Sequence, residues 1–417
     1  MLAVAAALLL ATCRSAPPPR LRVTVVGIDG ATWRVVDPLV ARGELPNLGR
    51  LLAHGVRAPL RSQVPLVSPA VWTTIASGVS RERHGITTFT VAGGRLARST
   101  DRRVHTLWTV ASAAGLRSAV IGWWATYPAE AINGVVISER ALKVRDEDVR
   151  ALGGGHHLAA DQARLVSPAG TLDIVSDLLF AAPDVSPDPD DASRVVPRMQ
   201  AEDAAVVRSL ARLRAREGPY DLEMILLRGV DPVSHYFWRF HEPDAAVYSD
   251  AERPGRDELA AVGDPVEAHY RFVDKLLGEL SLNAAPDRVV IVVSDHGFEA
   301  GRQSFRGGSL SGTHEGEAAI DGIFIVTGGP ARSGVRLEHA SILDVAPTVL
   351  QLLGLPVAED LEGRVLAEAV DPAWTASHPL RHVASYGAVA HAPTAATGVP
   401  GVDERLRREL RALGYVQ

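Results

Sequence analysis

A run of five β-branched residues places the strongest constraint on the fold of this chain. Residues Val289–Phe298 have the sequence VVIVVSDHGF. Five consecutive β-branched apolar residues predict a strand buried on both faces, as the strands of a parallel α/β sheet are. Asp295 and His296 follow at the carboxyl end of this strand, where open α/β sheets bind their ligands. An oxygen ligand beside a nitrogen ligand at this edge indicates a metal site.

Two other predicted strands also lead into an aspartate. Leu21–Ile28 is followed directly by Asp29, and Leu222–Arg228 is followed closely by Asp231. His235 comes four residues after Asp231, a spacing that places both side chains on one face of a helix. A single Asp or His after a strand is more often a cap than a ligand. Its repetition after three strands favours a shared site.

Neighbouring strand ends would bring six potential ligands together: Asp29, Asp231, Asp295, His235, His296 and His314. Three carboxylates in one place repel one another strongly, and bound divalent cations are the natural compensation. Histidine and aspartate ligands without cysteine fit Zn²⁺, with Mn²⁺ or iron as alternatives.

The periodicity of the rest of the chain predicts the fold class. Further strands are predicted at Ser118–Ile121 and Gly322–Thr327, and helices at Val35–Ala41, Leu45–His54, Thr106–Ala114, Gln200–Glu217, Pro265–Leu280, Ser341–Leu353 and Asp403–Leu413. Strands that alternate with helices indicate an α/β fold with a mainly parallel central sheet, covered by helices on both faces. Pro59–Val67 is predicted to be extended, and Glu299–Gly312 is predicted to be a loop.

Ser68 and Pro69 mark the start of another predicted helix, with Ser68 at the cap and Pro69 at the first helical position. Ser68 is then either only a cap or a hydroxyl at the positive end of a helix, where phosphate is also favoured. Trp123 and Trp124 follow a predicted strand and could stack a substrate base or sugar, although packing is the commoner role of such residues.

The N-terminal residues have the pattern of an export signal. Leu2–Ala11 is an apolar run that is too short to span a bilayer and typical of the apolar region of a signal peptide. Cys13 is the only cysteine of the chain and follows this run, as in a bacterial lipoprotein signal whose cysteine becomes lipidated. A plain secretory signal or a frayed N-terminus are the alternatives. We therefore expect an exported protein, periplasmic or anchored as a lipoprotein.

Three regions are expected from these patterns: a signal and tether at residues 1–20, one large α/β domain at 21–370, and a C-terminal extension at 371–417 that ends in a helix. Residues 142–199 lack a clear period, which indicates an insertion or lid over the sheet edge. His156 and His157 lie in this insertion and are expected to be exposed. The net charge of −6 gives no overall basic field, so bulk binding of nucleic acid is not indicated.

Four sequence blocks occur in a characteristic order. They are Gly27–Gly30 (GIDG), Ser68–Gly78 (SPAVWTTIASG), Asp231–His235 (DPVSH) and Ser294–Gly297 (SDHG) with the later His314. In this order they resemble the alkaline phosphatase superfamily, and most closely the type I phosphodiesterase/nucleotide pyrophosphatase family and its bacterial phosphohydrolase relatives. Residues 342–356 resemble the closing helix of the same superfamily, so the resemblance covers about residues 20–356.

The resemblance implies an alkaline phosphatase-like catalytic domain that hydrolyses phosphate mono- or diesters with two divalent metal ions. By motif position, Asp231, His235 and His314 would hold one ion, and Asp29, Asp295, His296 and the Ser68 oxygen would hold the other. Ser68 would attack phosphorus and form a phosphoserine, which water would then hydrolyse. The implied substrate is a small-molecule or headgroup phosphate ester.

The sequence also departs from the family. The Asn that binds a phosphoryl oxygen in the nucleotide pyrophosphatases is absent after Ser68, and Pro69 has no N–H. The substrate-binding residues, the preference between monoesters and diesters, and the oligomeric state are therefore left open by the sequence.

Three other functions are alternatives. A phosphotransferase that moves a phosphoryl-containing group to a glycan or lipid acceptor would use the same metals and serine. A sulfatase would share the fold, but its Cys/Ser-x-Pro-x-Arg context differs from Ser68–Trp72. A non-catalytic surface-binding lipoprotein is the third alternative, which the full set of ligand types disfavours.

Overall fold

The computed structural model describes residues 20–144, 163–180, 192–282, 285–305, 308–389 and 400–416. The predicted export signal with Cys13, and the two histidines His156 and His157, lie outside these ranges. Among the described residues, no helix is long and apolar enough to cross a bilayer.

A ten-stranded sheet forms the centre of the protein. The strands of the chain are β1 (Arg22–Ile28), β2 (Gly55–Arg61), β3 (Ser118–Ile121), β4 (Gly134–Ile137), β5 (Val166–Ser167), β6 (Leu222–Leu227), β7 (Arg288–Val293), β8 (Glu299–Phe305), β9 (Gly308–Thr313), β10 (Asp321–Gly328), β11 (Val335–Arg336), β12 (Ala340–Ser341), β13 (Val357–Ala358) and β14 (His382–Val383). The order in the central sheet is β11-β2-β10-β7-β1-β6-β3-β4-β5, with β12 beside β2. Strands β7, β1, β6, β3 and β4 are parallel, while β10 is antiparallel to β7 and β2, and β5 is antiparallel to β4. The predicted fold class, a mainly parallel α/β sheet, is therefore confirmed.

Helices cover both faces of this sheet. They are α1 (Trp33–Ala41), α2 (Pro46–Ala53), α3 (Ser68–Ser77), α4 (Arg81–His84), α5 (Leu107–Ala113), α6 (Leu172–Phe180), α7 (Val195–Glu217), α8 (Val230–His241), α9 (Arg256–Val262), α10 (Pro265–Glu279), α11 (Val345–Leu352), α12 (Pro372–Ser377) and α13 (Pro400–Ala412). Side chains of β1 alternate between two cores: Val26 and Ile28 pack with α1, α2, α7 and α10, while Val23 and Val25 pack with α3, α5 and α11. This alternation follows from the two-residue period of a strand.

A close approach between β1 and α3 brings the start of α3 to the end of the sheet. A Cβ atom on Gly27 would lie 2.6 Å from the ring of Trp72 and 2.7 Å from a methyl group of Leu226. Only glycine at this position therefore allows the Trp72 ring to approach β1 so closely. The contact anchors α3, and with it Ser68, beside the carboxyl end of β1.

Two predicted boundaries near α3 are wrong. Helix α3 begins at Ser68, with Val67 in the cap position, because the Val67 carbonyl already accepts the N–H groups of Ala70 and Val71 at 2.9 and 3.0 Å. The extended segment expected at 59–67 overlaps the strand β2 only at 59–61. Strand β2 begins earlier, at Gly55, because it pairs with β10 along Gly55–Arg61.

The segment 299–312, predicted to be a loop, is a hairpin of β8 and β9. The loop was predicted because the segment is rich in glycine, which is typical of loops. In the structure, Gly312 instead permits close packing, because a Cβ atom there would lie 2.3 Å from the Ser234 carbonyl oxygen of α8. The hairpin therefore packs directly on α8 and carries His314 to the sheet edge.

Part of the expected insertion belongs to the main fold. Strand β5 extends the central sheet beside β4, and α6 packs against α7. Most of the remaining insertion falls outside the described residues, and the lid interpretation stays a prediction.

Truncation of a residue in the middle of β7 should test the core. Ile291 is fully buried between β1 and β10. We expect Ile291→Ala to lower the free energy of unfolding by roughly 3 kcal/mol, because it removes buried methyl groups and leaves a cavity. Urea denaturation measures this loss. Val262→Ala, at a position that is 45% exposed, is the matched control and should change stability by less than about 0.5 kcal/mol. An Ile291→Ala variant as stable as this control would contradict the proposed core.

Candidate active site

Three aspartates meet because their strands are neighbours. Strands β7, β1 and β6 lie side by side, with Gly27 opposite both Val293 and Leu226. The backbone N–H of Asp29 donates to the Leu227 carbonyl at 2.9 Å, so β1 and β6 end at the same level. The residues that follow, Asp29, Asp231 and Asp295, are at most 5% exposed. The expected convergence of three carboxylates is thus observed.

One group of potential ligands consists of Asp231, His235 and His314, whose ligand atoms lie within 4.8 Å of one another. Asp231 and His235 lie one turn apart on α8, as predicted, with Oδ1 and Nε2 separated by 3.5 Å. The Nε2 atom of His314 lies 3.9 Å from the same oxygen. The His235 Nδ1 atom is 3.0 Å from the Gly312 carbonyl, and this hydrogen bond turns Nε2 toward the group.

A second group surrounds His296. Its Nε2 atom lies 3.5 Å from Asp29 Oδ1, 3.5 Å from Asp295 Oδ2 and 3.9 Å from Asp231 Oδ1. The other ring nitrogen of His296 is 2.9 Å from the Gly297 carbonyl, which leaves Nε2 free to act as a ligand. Asp231 lies between the two groups and contributes to both.

Hydrogen bonds from neighbouring N–H groups hold the carboxylate oxygens of Asp29 and Asp295 that face away from His296. The indole N–H groups of Trp72 and Trp124 donate to Asp29 Oδ2 at 3.2 and 3.4 Å. The backbone N–H of Gly30 donates to Asp295 Oδ1 at 3.2 Å. Each carboxylate is therefore oriented so that its other oxygen faces His296. Such outer contacts fix the ligands of metal sites and tune their affinity.

Three buried atoms of this group have no hydrogen-bond partner among the described residues: Asp29 Oδ1, Asp295 Oδ2 and His296 Nε2. Unpaired buried polar atoms are costly and rare, and here the nitrogen lies 3.5 Å from each of the two oxygens. A divalent cation bound between them would satisfy all three. The donor set, two carboxylates and one imidazole, fits Zn²⁺ and related ions.

The electrostatics favour the same conclusion. Burial raises the pKa of Asp29 well above its usual value, and the charges of Asp295 and Asp231 raise it further. Burial and the Asp231 charge likewise raise the pKa of Asp295. Burial also acts to raise the pKa of Asp231, but His235 and His314 outweigh it and lower that pKa to about 2. A bound cation would relieve the repulsion between the carboxylates.

Ser68 lies beside these ligands. It is 4% exposed and lines the same cavity as Asp29 and Asp231. The N–H groups of Ala70 and Val71 already donate to the Val67 carbonyl, and the helix dipole at the start of α3 favours an anion. The structure thus brings all seven predicted site residues to one end of the sheet.

Tyr415 also contacts the proposed ligands, which the sequence did not predict. The hydroxyl oxygen of Tyr415 lies 2.8 Å from His235 Nε2 and 2.7 Å from His314 Nε2, and 3.4 Å from both oxygens of Asp231. Tyr415 follows α13, and no local pattern in the sequence connects it with the other ligands. Its position depends entirely on how α13 docks.

Trp123 and Trp124 pack rather than present a stacking surface. Trp123 is fully buried and donates its indole N–H to the Trp72 carbonyl at 3.0 Å. Trp124 is 9% exposed and also serves as a hydrogen-bond donor to Asp29. The sequence therefore indicated their packing but not the hydrogen bond to a ligand.

Known proteins resemble this chain in sequence and in fold. The model of the type I phosphodiesterase / nucleotide pyrophosphatase family matches residues 23–338. An inactive variant of murine ectonucleotide pyrophosphatase / phosphodiesterase 5 in complex with AMP has a similar fold, with a TM-score of 0.52 and 12% identity, over 84% of this chain and 100% of that chain. A 2-O GAG sulfatase has a TM-score of 0.50 and 13% identity, over 84% of this chain and 74% of that one.

A curated relative matches over a shorter stretch. The 2,3-bisphosphoglycerate-independent phosphoglycerate mutase of Cereibacter sphaeroides is 38% identical over 80 residues, which are 19% of this chain and 15% of the mutase. The match spans less than a fifth of either protein, so the family assignment depends on the family model. That model covers most of the chain, and the predicted class of phosphoric ester hydrolase is confirmed at the level of the family. The chain belongs to the type I phosphodiesterase / nucleotide pyrophosphatase family.

Proposed function

We propose that this protein hydrolyses phosphate mono- or diesters at a two-metal site, with Ser68 as the nucleophile. The observation that carries the proposal is the pair of buried ligand groups on either side of Asp231, next to a cavity that Ser68 lines. Family membership supports phosphoester hydrolysis as the general activity.

The ligands divide between two ions. Asp231, His235 and His314 would hold one, and Asp29, Asp295, His296 and the Ser68 oxygen the other. When bound, divalent ions such as Zn²⁺, Mn²⁺ or iron would lower the pKa of the serine hydroxyl and stabilise charge on the leaving oxygen. The orphaned oxygens and nitrogen around His296 support this assignment.

Ser68 carries the covalent chemistry in this proposal. Its Oγ forms a bond to phosphorus as the bond from phosphorus to the leaving alcohol breaks, and the serine proton ends on the departing alcohol. Water then attacks the phosphoserine, the bond from phosphorus to Oγ breaks, and the serine hydroxyl is restored. The positive end of α3 favours the negative phosphoryl group throughout.

A phosphotransferase is the second candidate, because an alcohol could replace water in the second step without any change in the protein groups.

The apolar run Leu2–Ala11 followed by Cys13 supports export, to the periplasm or as a lipid-anchored protein. Neither an alcohol acceptor nor export would change which residues form the proposed site.

The proposed chemistry predicts a trapped intermediate. With Zn²⁺ present, we expect release of p-nitrophenol from p-nitrophenyl phosphate or from bis(p-nitrophenyl) phosphate. Acid quenching during turnover should leave phosphate on the peptide that contains Ser68, detectable by mass spectrometry. Glycerol phosphate formed in the presence of glycerol would favour the transferase. No turnover of either ester with metal bound, or a phosphate on another residue, would overturn the proposal.

A further inference from the structure

Three cationic side chains lie in the same cavity as Ser68. Lys143 is 2% exposed and Arg228 is 7% exposed, and the side chain of Arg198 is 11% exposed. Together with Asp29 and Ser68 they line one continuous pocket. Burial of three positive charges is costly unless each has an anionic partner, so this part of the pocket is built to hold anions.

One aromatic ring, that of Trp124, contacts both Arg228 and a proposed metal ligand. The guanidinium carbon of Arg228 lies 4.9 Å from the centre of the Trp124 ring. The same tryptophan donates its indole N–H to Asp29. A substrate with its phosphoryl group at Ser68 could therefore extend toward Arg228 within the pocket.

Among the described residues, two carboxylates pair with the three cations. Glu202 of α7 contacts Lys143 Nζ at 2.7 Å and Arg228 at 3.3 Å. Glu409 of α13 contacts Lys143 Nζ at 2.6 Å and Arg198 at 3.4 Å. Within the part of the chain that the structure describes, the cluster thus has one more positive than negative charge. The Nε atom of Arg198 also has no hydrogen-bond acceptor among the described residues.

Glu409 lies in a different part of the chain from the rest of the cluster. Lys143, Arg198, Arg228 and Glu202 lie within residues 23–338, which the family model matches, whereas α13 lies beyond them. Burial acts to raise the pKa of Glu409, but Lys143 and Arg198 outweigh it and hold that pKa at about 2. The Glu409 carboxylate is therefore a negative charge at the end of the pocket that comes from outside the residues matched by the family model.

The same C-terminal segment reaches the other end of the pocket. Leu413 and Tyr415 line the cavity, and the Tyr415 oxygen lies between His235 and His314. One short segment thus contacts both the cations and the proposed metal ligands, along the path that a bound substrate would follow.

We propose that Lys143, Arg198 and Arg228 form a subsite for a second oxyanion of the substrate, and that Glu409 is an internal occupant of this subsite. The inference rests on the proposed function, in which the phosphoryl group binds at Ser68. It narrows the substrate class to phosphate esters whose alcohol part carries another anionic group.

Two matched ligands test the subsite without catalysis. Butylphosphonate carries one anionic group, and 4-phosphonobutanoate adds a carboxylate at the far end of the same carbon chain. Calorimetry on the intact, Zn²⁺-loaded protein measures both affinities. We expect Glu409→Gln to increase the preference for 4-phosphonobutanoate by about tenfold, because a charge-assisted hydrogen bond to the ligand replaces the one to Glu409. The double variant Glu409→Gln, Lys143→Gln should lose most of this gain.

Glu404→Gln is the matched control, since it makes the same change at an exposed position of the same helix. It should leave the preference unchanged. Glu409→Ala provides a second variant, which also creates space, and its unfolding midpoint shows whether α13 stays folded. An unchanged preference in both Glu409 variants, with butylphosphonate still bound, would overturn the subsite alone. Failure of both phosphonates to bind would instead count against the phosphoryl site at Ser68 and hence against both proposals.

Discussion

Replacement of Ser68 with alanine is expected to lower kcat for phosphate-ester hydrolysis by at least about a thousandfold, because it removes the atom that attacks phosphorus. The fold should persist, since the change removes one oxygen from a side chain at the first position of α3. Initial rates with p-nitrophenyl phosphate and bis(p-nitrophenyl) phosphate measure the effect, and urea denaturation measures stability in parallel. A variant with wild-type kcat would exclude Ser68 as the nucleophile.

The same helix offers a close control. Ser77 is also buried, at the other end of α3, where its hydroxyl donates to the Thr73 carbonyl at 2.7 Å. We expect Ser77→Ala to change stability by about 1 kcal/mol or less and to leave kcat within about twofold of wild type. Ser68→Thr keeps a hydroxyl and should retain measurable hydrolysis, together with a phosphorylated side chain after acid quenching.

Replacement of His296 with alanine is expected to remove one of two bound ions and to lower kcat by at least about a thousandfold. The imidazole Nε2 atom faces Asp29 and Asp295 at 3.5 Å, so its loss removes the nitrogen ligand from this group. His235→Ala should remove the other ion, because it alters the separate group around Asp231. Metal analysis after gel filtration gives the stoichiometry, and dialysis against a chelator should abolish activity until Zn²⁺ is restored.

His54 provides the control for these two variants, because its side chain is exposed at the end of α2. His54→Ala should keep both ions and full activity. If His296→Ala retained two ions, or if chelation left the rate unchanged, the two-ion assignment would fail.

The sequence predicted the parts of the site that follow directly from strand ends. Asp29, Asp231 and Asp295 come after buried apolar runs, so parallel pairing of those runs is enough to bring them together. The i to i+4 spacing similarly placed Asp231 and His235 on one face of α8. Local patterns of this kind carry their own geometry, because the periods of strands and helices are fixed by the backbone.

Two other features of the fold could not be predicted from local sequence patterns. Strands β8 and β9 contain glycines that predicted a loop, and only their packing against α8 shows that these glycines serve close contact. Helix α3 begins one residue earlier than a capping pattern suggests, since the Val67 carbonyl accepts its first N–H groups. For the hairpin, a contact with another element outweighed the local preference; for α3, the backbone hydrogen bonds to Val67 set the start of the helix.

The sequence alone determined the fold class, the family resemblance and the candidate ligand set, because each depends on residue types at short, regular spacings. Only the tertiary structure decided what else shares the pocket. Lys143, Arg198 and Arg228 come from three separate parts of the chain, and Glu409 and Tyr415 come from the C-terminal segment. Their meeting depends on how α7 and α13 pack against the sheet, which is a property of long-range burial and charge pairing that no short stretch of sequence contains.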